Sequence, residues 1–542
     1  MTSQTRTAPT DTPSPAAAPT RDRRLDTAGA ACGIAAGTVA LAVAQVGARL
    51  VPGAIAPVQI LGDLVIRRTP IQVTEAVIGA VGRNDKTLLL VVMMVVAVLL
   101  VALTGIAFTR GHRRGAWVGV GLLGLLPVLA TAGAPTGSVT REVVVVLPAA
   151  LLGAAVLHAL GSPLLLAQTA LAGAGRSARR QAQAADAQRS IGRRQLLRAG
   201  LVLVSAAALG QAASRALGAP SKAIARRLKG ALPTPDRALP ALTDEFAGAG
   251  AAPLITPIGS FYRIDTALDV PQVDPDTWQL NLRRDGQNVL HSWSYDELLG
   301  LATTEAGITI GCISNEVGGD LIGTARWQGV PLQALLRQAG VTSAGRITGV
   351  SVDGFIASFP GRYAFDGRAA MVAVGMNGQP LPVLHGFPAR LVVPGLYGYS
   401  SATKWLTDLD ASDSTDLPGF WADRGWTPAV AIHITSRIDS PRSNRSLAAG
   451  ATQIAGVAWA PTIGVGTVEV QIDDGRWQSA RLSTRTTGSL WRQFVLDWTA
   501  TPGVHQLRVR ATDLSGRQQD PRRRATYPSG ATGLHQVTVR VT

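Results

Sequence analysis

The stretch "ITIGCISNEVGGDLIGTARW", residues 308–327, sets a β-like apolar run against a glycine-rich loop and a second β-like run, with one cysteine at the junction. The chain of 542 residues holds 2 cysteines, and the other, Cys32, lies in an apolar run near the start. Cys312 thus has no disulfide partner in its own region. Three roles stay open for its thiol. A buried cysteine packs as a small hydrophobe. A nucleophile needs a base, and the nearest histidine in sequence, His291, stands well outside the stretch. A metal thiolate cannot build a zinc site alone, because zinc takes three or four N/S ligands. It could complete a metal whose other ligands arrive with a cofactor.

Working outward, residues 258–428 alternate short β-like runs such as "WQLNL" (278–282), "TIGCIS" (309–314) and "RLVVPG" (390–395) with short helical ones such as "YDELLGL" (295–301) and "PLQALLRQAG" (331–340). That is an α+β pattern without βαβ regularity. "MNGQPLP" (376–382) carries Asn-Gly between apolar runs, a strong hairpin signal. From 429 to 542 only strands follow, alternating in and out between Gly, Pro and Asp turns, which predicts an immunoglobulin-like β-sandwich without a disulfide. Residues 219–257 are Pro/Ala-rich and read as a linker wrapping onto the α+β domain.

The N-terminal half differs in kind. Hydrophobic residues make up 46% of the chain and mean hydropathy is +0.21, high for a soluble protein. Apolar runs at 28–48, 87–108, 116–134 and 143–166, with a weaker one at 199–217, each offer the ~20 residues of a membrane-spanning helix. Residues 1–27 read as a disordered cytoplasmic tail and 28–218 as a membrane domain of about five spans. "RDRR" (21–24), "TRGHRR" (109–114) and the loop 175–194 collect Arg on one side, which the positive-inside rule makes cytoplasmic. Everything after residue 218 is then extracytoplasmic. Within 190–217, Arg193 and Arg194 precede two leucines and a mildly apolar run, similar to a twin-arginine export signal; a basic stop beside an ordinary helix is the alternative. The net charge of +16 comes mostly from residues 1–219, with 21 Lys/Arg against 8 Asp/Glu, so it gives no basis for nucleic-acid binding.

The segment "CISNEVGGDLIGTARWQGVPL" (312–332) resembles the molybdenum-cysteine segment of the sulfite oxidase family, where Cys-x-x-N precedes A-R-W-x-G-x-x-L. "MNGQPLPVLHGFPARLVVPGLYGYSSATKWL" (376–406) is similar to that family's pterin-binding stretch, and "FYRID" (261–265) to its Phe-x-Arg-Asn-His element. The resemblance implies a molybdopterin-binding oxidoreductase domain over 258–428 and a dimerisation-type domain over 429–542. It makes Cys312 the protein ligand of molybdenum, a soft sulfur suited to sulfur-rich coordination. It places His385, Arg390 and Lys404 on the pterin and its phosphate, with Asp353 as a further cofactor contact. Arg263 and Arg326 become the groups that orient substrate or steady the cofactor. A small-molecule substrate, a separate electron-transfer partner, the membrane and a possible homodimer follow as partners. Three departures bear on substrate. Ile264-Asp265 stands for Asn-His, Ile-Ser-Asn follows Cys312 where sulfite oxidases have Ala-Gly-Asn, and "FWADRGWTP" (420–428) lacks the expected tyrosine. Sulfite is thereby put in doubt, and oxygen-atom transfer on a small oxyanion or a sulfoxide is expected. A non-catalytic membrane receptor or adhesion protein is the alternative.

Overall fold

A computed structural model describes residues 23–51, 54–70, 73, 77, 80–81, 84–131, 139–173, 178–218, 222–268, 270–485 and 487–542. The chain divides into two compact units. Residues 1–68 and 77–218 form the first, and residues 69–76 and 219–542 the second.

The first unit is helical: α1 (Arg23–Leu50), α2 (Pro57–Arg68), α3 (Asp85–Thr109), α4 (Arg113–Thr131), α5 (Val139–Gly173) and α6 (Ala178–Gly218). Five stretches, in all but α2, are long and apolar enough to cross a membrane by length and composition. Small residues let α1 and α3 touch backbone to backbone. A Cβ on Gly33 would lie 2.0 Å from the Val101 carbonyl oxygen, and one on Gly105 2.1 Å from that of Gly29. At one end Arg110 Nη2 pairs with Asp26 at 2.6 Å. Two expectations need adjustment. The disordered tail of 1–27 falls, through residue 22, outside the described residues, while 23–27 already belong to α1. Residues 178–194 are not a loop but the first half of the 41-residue α6. Their Ala, Gln and Arg are strong helix formers, and the charge that suggested a loop is no obstacle to a helix.

In the second unit the α+β part contains β1 (Gln279–Arg284), β2 (Asn288–Ser294), β3 (Thr304–Gly311), β4 (Ile322–Pro331) and β5 (Arg346–Ser351). It continues through β6 (Ile356–Pro360), β7 (Met371–Met376), β8 (Gln379–Pro380), β9 (Arg390–Val392) and β10 (Leu406–Ser412). These make two sheets, one ordered β2-β1-β10-β5-β6 and one ordered β3-β4-β7-β8 with β9 on β7. The Asn377-Gly378 turn joins β7 to β8 as the hairpin signal requires, with Asn377 at φ 53° and Gly378 at φ 78°. Between Ser294 and Leu301 a helix opens on a full capping box from Ser294 and Glu297. Residues 222–257 lie against this part: Ile224 joins its core, and Arg237 bridges to Thr304.

The C-terminal part is strands alone. β11 (Thr435–Ser440), β13 (Gly450–Trp459), β17 (Arg492–Ala500) and β16 (Arg481–Leu482) form one sheet. β12 (Ser446–Leu447), β19 (His535–Val541), β18 (Gly503–Asp513), β14 (Val465–Ile472) and β15 (Gln478–Ser479) form the other. Ile454 and Phe494 of the first meet Val470, Leu507 and Val539 of the second in one core. A separate aromatic cluster joins the two parts: Ile313 and Tyr397 pack with Trp426, Trp459 and Trp491. It lies directly beside Cys312.

Candidate active site

The register of β3 against β4, with Gly311 opposite Ile322, brings Cys312 to the end of a hairpin. The Cys312 N–H donates to the Leu321 carbonyl at 2.9 Å, and the Leu321 N–H donates to Asn315 Oδ1 at 2.9 Å, so the intervening loop closes on itself. The sulfur is buried, 2.9 Å from Ser314 Oγ. Burial raises the thiol's pKa above its ordinary value, while the Ser314 hydrogen bonds and the nearby Lys404 charge pull the other way.

Four cationic or basic groups converge from distant segments. Arg390 starts β9 and is buried, its guanidinium 4.8 Å from the centre of the Trp327 ring. It donates to the His385 carbonyl at 3.1 Å and the Ala402 carbonyl at 3.5 Å, while its buried Nε has no partner among the described residues. Desolvation lowers its pKa to about 10. Lys404 Nζ donates to Asp265 Oδ2 at 3.0 Å, and burial lowers its pKa to about 8, less far than it would without that carboxylate. Arg263, more exposed, reaches the same oxygen through Nε at 2.9 Å. His385 is buried with Nε2 3.4 Å from the Ile258 carbonyl. Burial, then the Arg390 and Lys404 charges, push its pKa down to about 4, so the imidazole is neutral at physiological pH.

Tyr262 and Asp265 complete the cluster, and neither was singled out as a site residue by the sequence. Tyr262 is stacked on Phe261 with ring centres 5.4 Å apart, and burial raises its phenol pKa. A Cβ on Gly398 would lie 3.5 Å from the Tyr262 hydroxyl and 3.6 Å from the Gly311 carbonyl, which places that hydroxyl beside the cysteine. Asp265, inconspicuous as a mere departure from a motif, holds two cations at once.

Two expected residues stand differently. Arg326 lies away from Cys312 along the hairpin. It sits on β4 opposite Gly307, whereas Cys312 follows Gly311 at the far end of β3, about 17 Å further on at strand rise. Side chains alternate along a strand. Trp327 therefore lies under Arg390, while Arg326 turns to the other face, where it pairs with Glu305 at 3.1 Å and donates to the Pro240 carbonyl. Asp353 lies in the β5–β6 turn and accepts the Phe355 N–H at 3.1 Å. The Val352 N–H next to it donates to the Trp405 carbonyl, so the turn adjoins the Lys404 loop.

Residues 267–421 match the family model described as "Oxidoreductase molybdopterin binding domain". This part of the chain is a molybdopterin-binding oxidoreductase domain, similar to that of the sulfite oxidases. Human mitochondrial sulfite oxidase is 32% identical over 259 residues, covering 40% of this chain and 47% of that protein. The NAD(P)H nitrate reductase of Hordeum vulgare is 28% identical over 178 residues, covering 28% of this chain and 20% of that protein. Among solved structures, the sulfane dehydrogenase SoxCD of Paracoccus pantotrophus aligns over 53% of this chain and 81% of that one, at 23% identity and a TM-score of 0.45. The chain thus spans about half the length of the human relative, 47% of it.

The domain's cofactor is molybdopterin with molybdenum, and the cluster fits it chemically. Arg263 and Lys404 share one carboxylate, Asp265, and Arg390 is buried with no carboxylate in its bonds among the described residues. An uncompensated buried cation is costly unless an anion completes it, and the pterin's terminal phosphate is such an anion. A soft thiolate in reach of Lys404 suits a soft, sulfur-rich metal centre.

Proposed function

We propose that this protein is a membrane-anchored molybdenum-dependent oxidoreductase whose molybdopterin domain lies outside the cytoplasm and transfers an oxygen atom to or from a small oxyanion or a sulfoxide. The observation that carries this reading is the buried Arg390, fixed over Trp327 with an Nε that has no partner among the described residues, its charge felt by Lys404, whose own charge reaches Cys312. When bound, the cofactor supplies the two-electron oxygen-transfer chemistry.

The chain's own residues do the rest. Cys312 gives the thiolate, and the Ser314 hydroxyl at 2.9 Å donates to that sulfur once it is charged. Arg390 offers a planar fork and Lys404 a compact charge to the phosphate. His385, neutral, fills the wall beside them without adding charge. Tyr262 keeps its proton, because burial disfavours the phenolate, and so presents a donor beside Cys312. Arg263 spends its Nε on Asp265 and keeps its other N–H groups at the more open edge, where a polar or anionic substrate can be oriented. The names of the relatives, a sulfite oxidase and a nitrate reductase, support a small oxyanion; the Ile264-Asp265 and Ile-Ser-Asn departures support a sulfoxide. Electrons pass to or from a separate partner protein. The five apolar helices support the anchor, and the two C-terminal sheets are read as an immunoglobulin-like sandwich that serves self-association.

Metal analysis of the full chain in detergent tests the reading. About one molybdenum per chain is expected, lost on Cys312→Ser, since the cofactor and not the polypeptide carries the redox chemistry. A folded chain without molybdenum, from cells supplied with molybdate, favours a receptor or adhesion role instead. Sulfite with an artificial acceptor and methionine sulfoxide with an artificial donor then separate the two substrate classes.

A further inference from the structure

The phosphate cradle is built by the α+β part, but the thiol loop is held from the opposite side. Three C-terminal residues touch the loop at successive positions. Val317 lies where a Cβ on Gly533 would be 3.6 Å from its Cγ2. Gly318, at φ 80°, lies against the His535 ring so closely that a Cβ would sit 2.1 Å from Cδ2 and 2.3 Å from Nε2. The Gly319 carbonyl accepts from Arg437 Nη1 at 2.8 Å.

Both partner side chains are themselves fixed. Arg437 Nε pairs with Asp439 at 2.6 Å, and Asp439 in turn accepts the Ala252 N–H at 2.9 Å. His535 Nδ1 accepts the Ile438 N–H at 3.0 Å, which assigns the ring proton to Nε2 and locks the ring plane. The strand leading into Cys312 is anchored the same way. The Thr309 N–H donates to the Ser489 carbonyl at 2.9 Å, and the Trp491 N–H donates to Thr309 Oγ1 at 3.0 Å.

We infer that the C-terminal sheets set the position of the Cys312 sulfur, with Arg437 and His535 as positioning residues acting through Gly319 and Gly318. The inference rests on Cys312 being the molybdenum ligand, but the loop's restraint does not. The metal site is then assembled across two parts of the chain. One supplies the charges for the cofactor's phosphate, and the other holds the thiolate where the metal must meet it. Within-loop bonds alone leave Val317 to Gly319 without an outside reference; Arg437 and His535 provide it.

The test uses the full chain in detergent, made in cells unable to synthesise the pterin, and follows alkylation of Cys312 by iodoacetamide through mass spectrometry of its peptide. A buried thiol reacts through local opening. Losing a charge-assisted hydrogen bond worth roughly 1.5–3 kcal/mol should speed labelling by about tenfold or more in Arg437→Ala. Arg437→Lys should recover part of the protection. His535→Ala, which leaves the Arg437 bond in place, is the second variant and should also label faster; it keeps the test decisive where Arg437→Ala does not fold. In cofactor-loaded protein the thiolate-to-molybdenum absorption band should shift in every variant that labels faster. Parent-like labelling in folded Arg437→Ala or His535→Ala overturns the inference. If no preparation binds molybdenum, the labelling result still stands by itself, so failure of the cofactor reading is distinguishable.

Discussion

Lys404 and Asp265 decide how the site responds to pH. The Lys404 pKa lies at about 8 in the cofactor-free fold, against an ordinary 10.5, because burial disfavours its charge. Between those values the unfolded chain keeps a proton that the folded chain has lost. Raising the pH through this window therefore stabilises the cofactor-free fold, and below it the cost of a buried charge is present in full. Anion binding has the opposite sign, because a phosphate needs the protonated amine. Affinity for pyrophosphate, measured by calorimetry in buffers of different ionisation heat, should fall as pH rises above about 8, with proton uptake on binding. Asp265→Asn removes a carboxylate that raises the Lys404 pKa, so the fall should begin at lower pH. Equal onset in parent and variant would show that Asp265 does not govern Lys404. Arg390→Met should cut pyrophosphate affinity about 10- to 100-fold, the worth of a lost charged hydrogen bond at ~1.5–3 kcal/mol. Of this cluster, Cys312, His385, Arg390 and Lys404 were legible in sequence because each lies inside a motif of fixed spacing. Asp265 was not, since its partner Lys404 is 139 residues away and no local pattern announces the pair. Arg437 and His535 were hidden for the same reason, with Arg437 118 residues from Gly319.

At the scale of elements, strand pairing made the difference between a motif and a site. A-R-W reads as one unit in sequence, yet β4 sends Trp327 under Arg390 and Arg326 to Glu305 on the other face. Spacing along one strand cannot say which face meets the cysteine until the partner strand is known. The hairpin at Asn377-Gly378 was legible because a positive-φ turn has a local chemical signature. The first half of α6 carries the charge of a loop, yet its Ala, Gln and Arg favour a helix. The β4–β7 contact also carries a packing constraint that the sequence showed only as a glycine. Gly329 sits at a register shift between Gln328 and Gly329, and a Cβ there would fall 2.1 Å from the Val372 carbonyl oxygen. Backbone cannot yield as a flexible side chain does. Gly329→Ala should therefore destabilise the fold by about 1–3 kcal/mol, the usual cost of overpacking, read as a lower denaturation midpoint of the detergent-solubilised chain. Parent-like stability would mean that the two strands part there without cost.

At the scale of the whole molecule, the proposed topology requires the second unit to cross a membrane. Arg193 and Arg194 lie within α6, both exposed, at the start of the apolar stretch Ser190–Ala213, one of the five candidate spans among the described residues. Two mechanisms predict different tolerances. If the pair only marks the cytoplasmic flank of an ordinary helix, charge is what counts, and lysine serves as well as arginine. If the pair is read as a twin-arginine signal, the guanidinium itself is recognised and lysine does not replace it. A site needing a bulky, phosphate-bearing cofactor gives a reason for the second mechanism, because the fold must close on the cofactor before crossing. The double substitution Arg193→Lys and Arg194→Lys keeps every charge and so separates the two. In spheroplasts, external protease should digest the second unit of the parent and leave that of the double variant protected, with the preceding spans inserted in both. Equal digestion would assign the arginines to the flank of a conventional span, and the cofactor would then have to be acquired by some other order of folding and export.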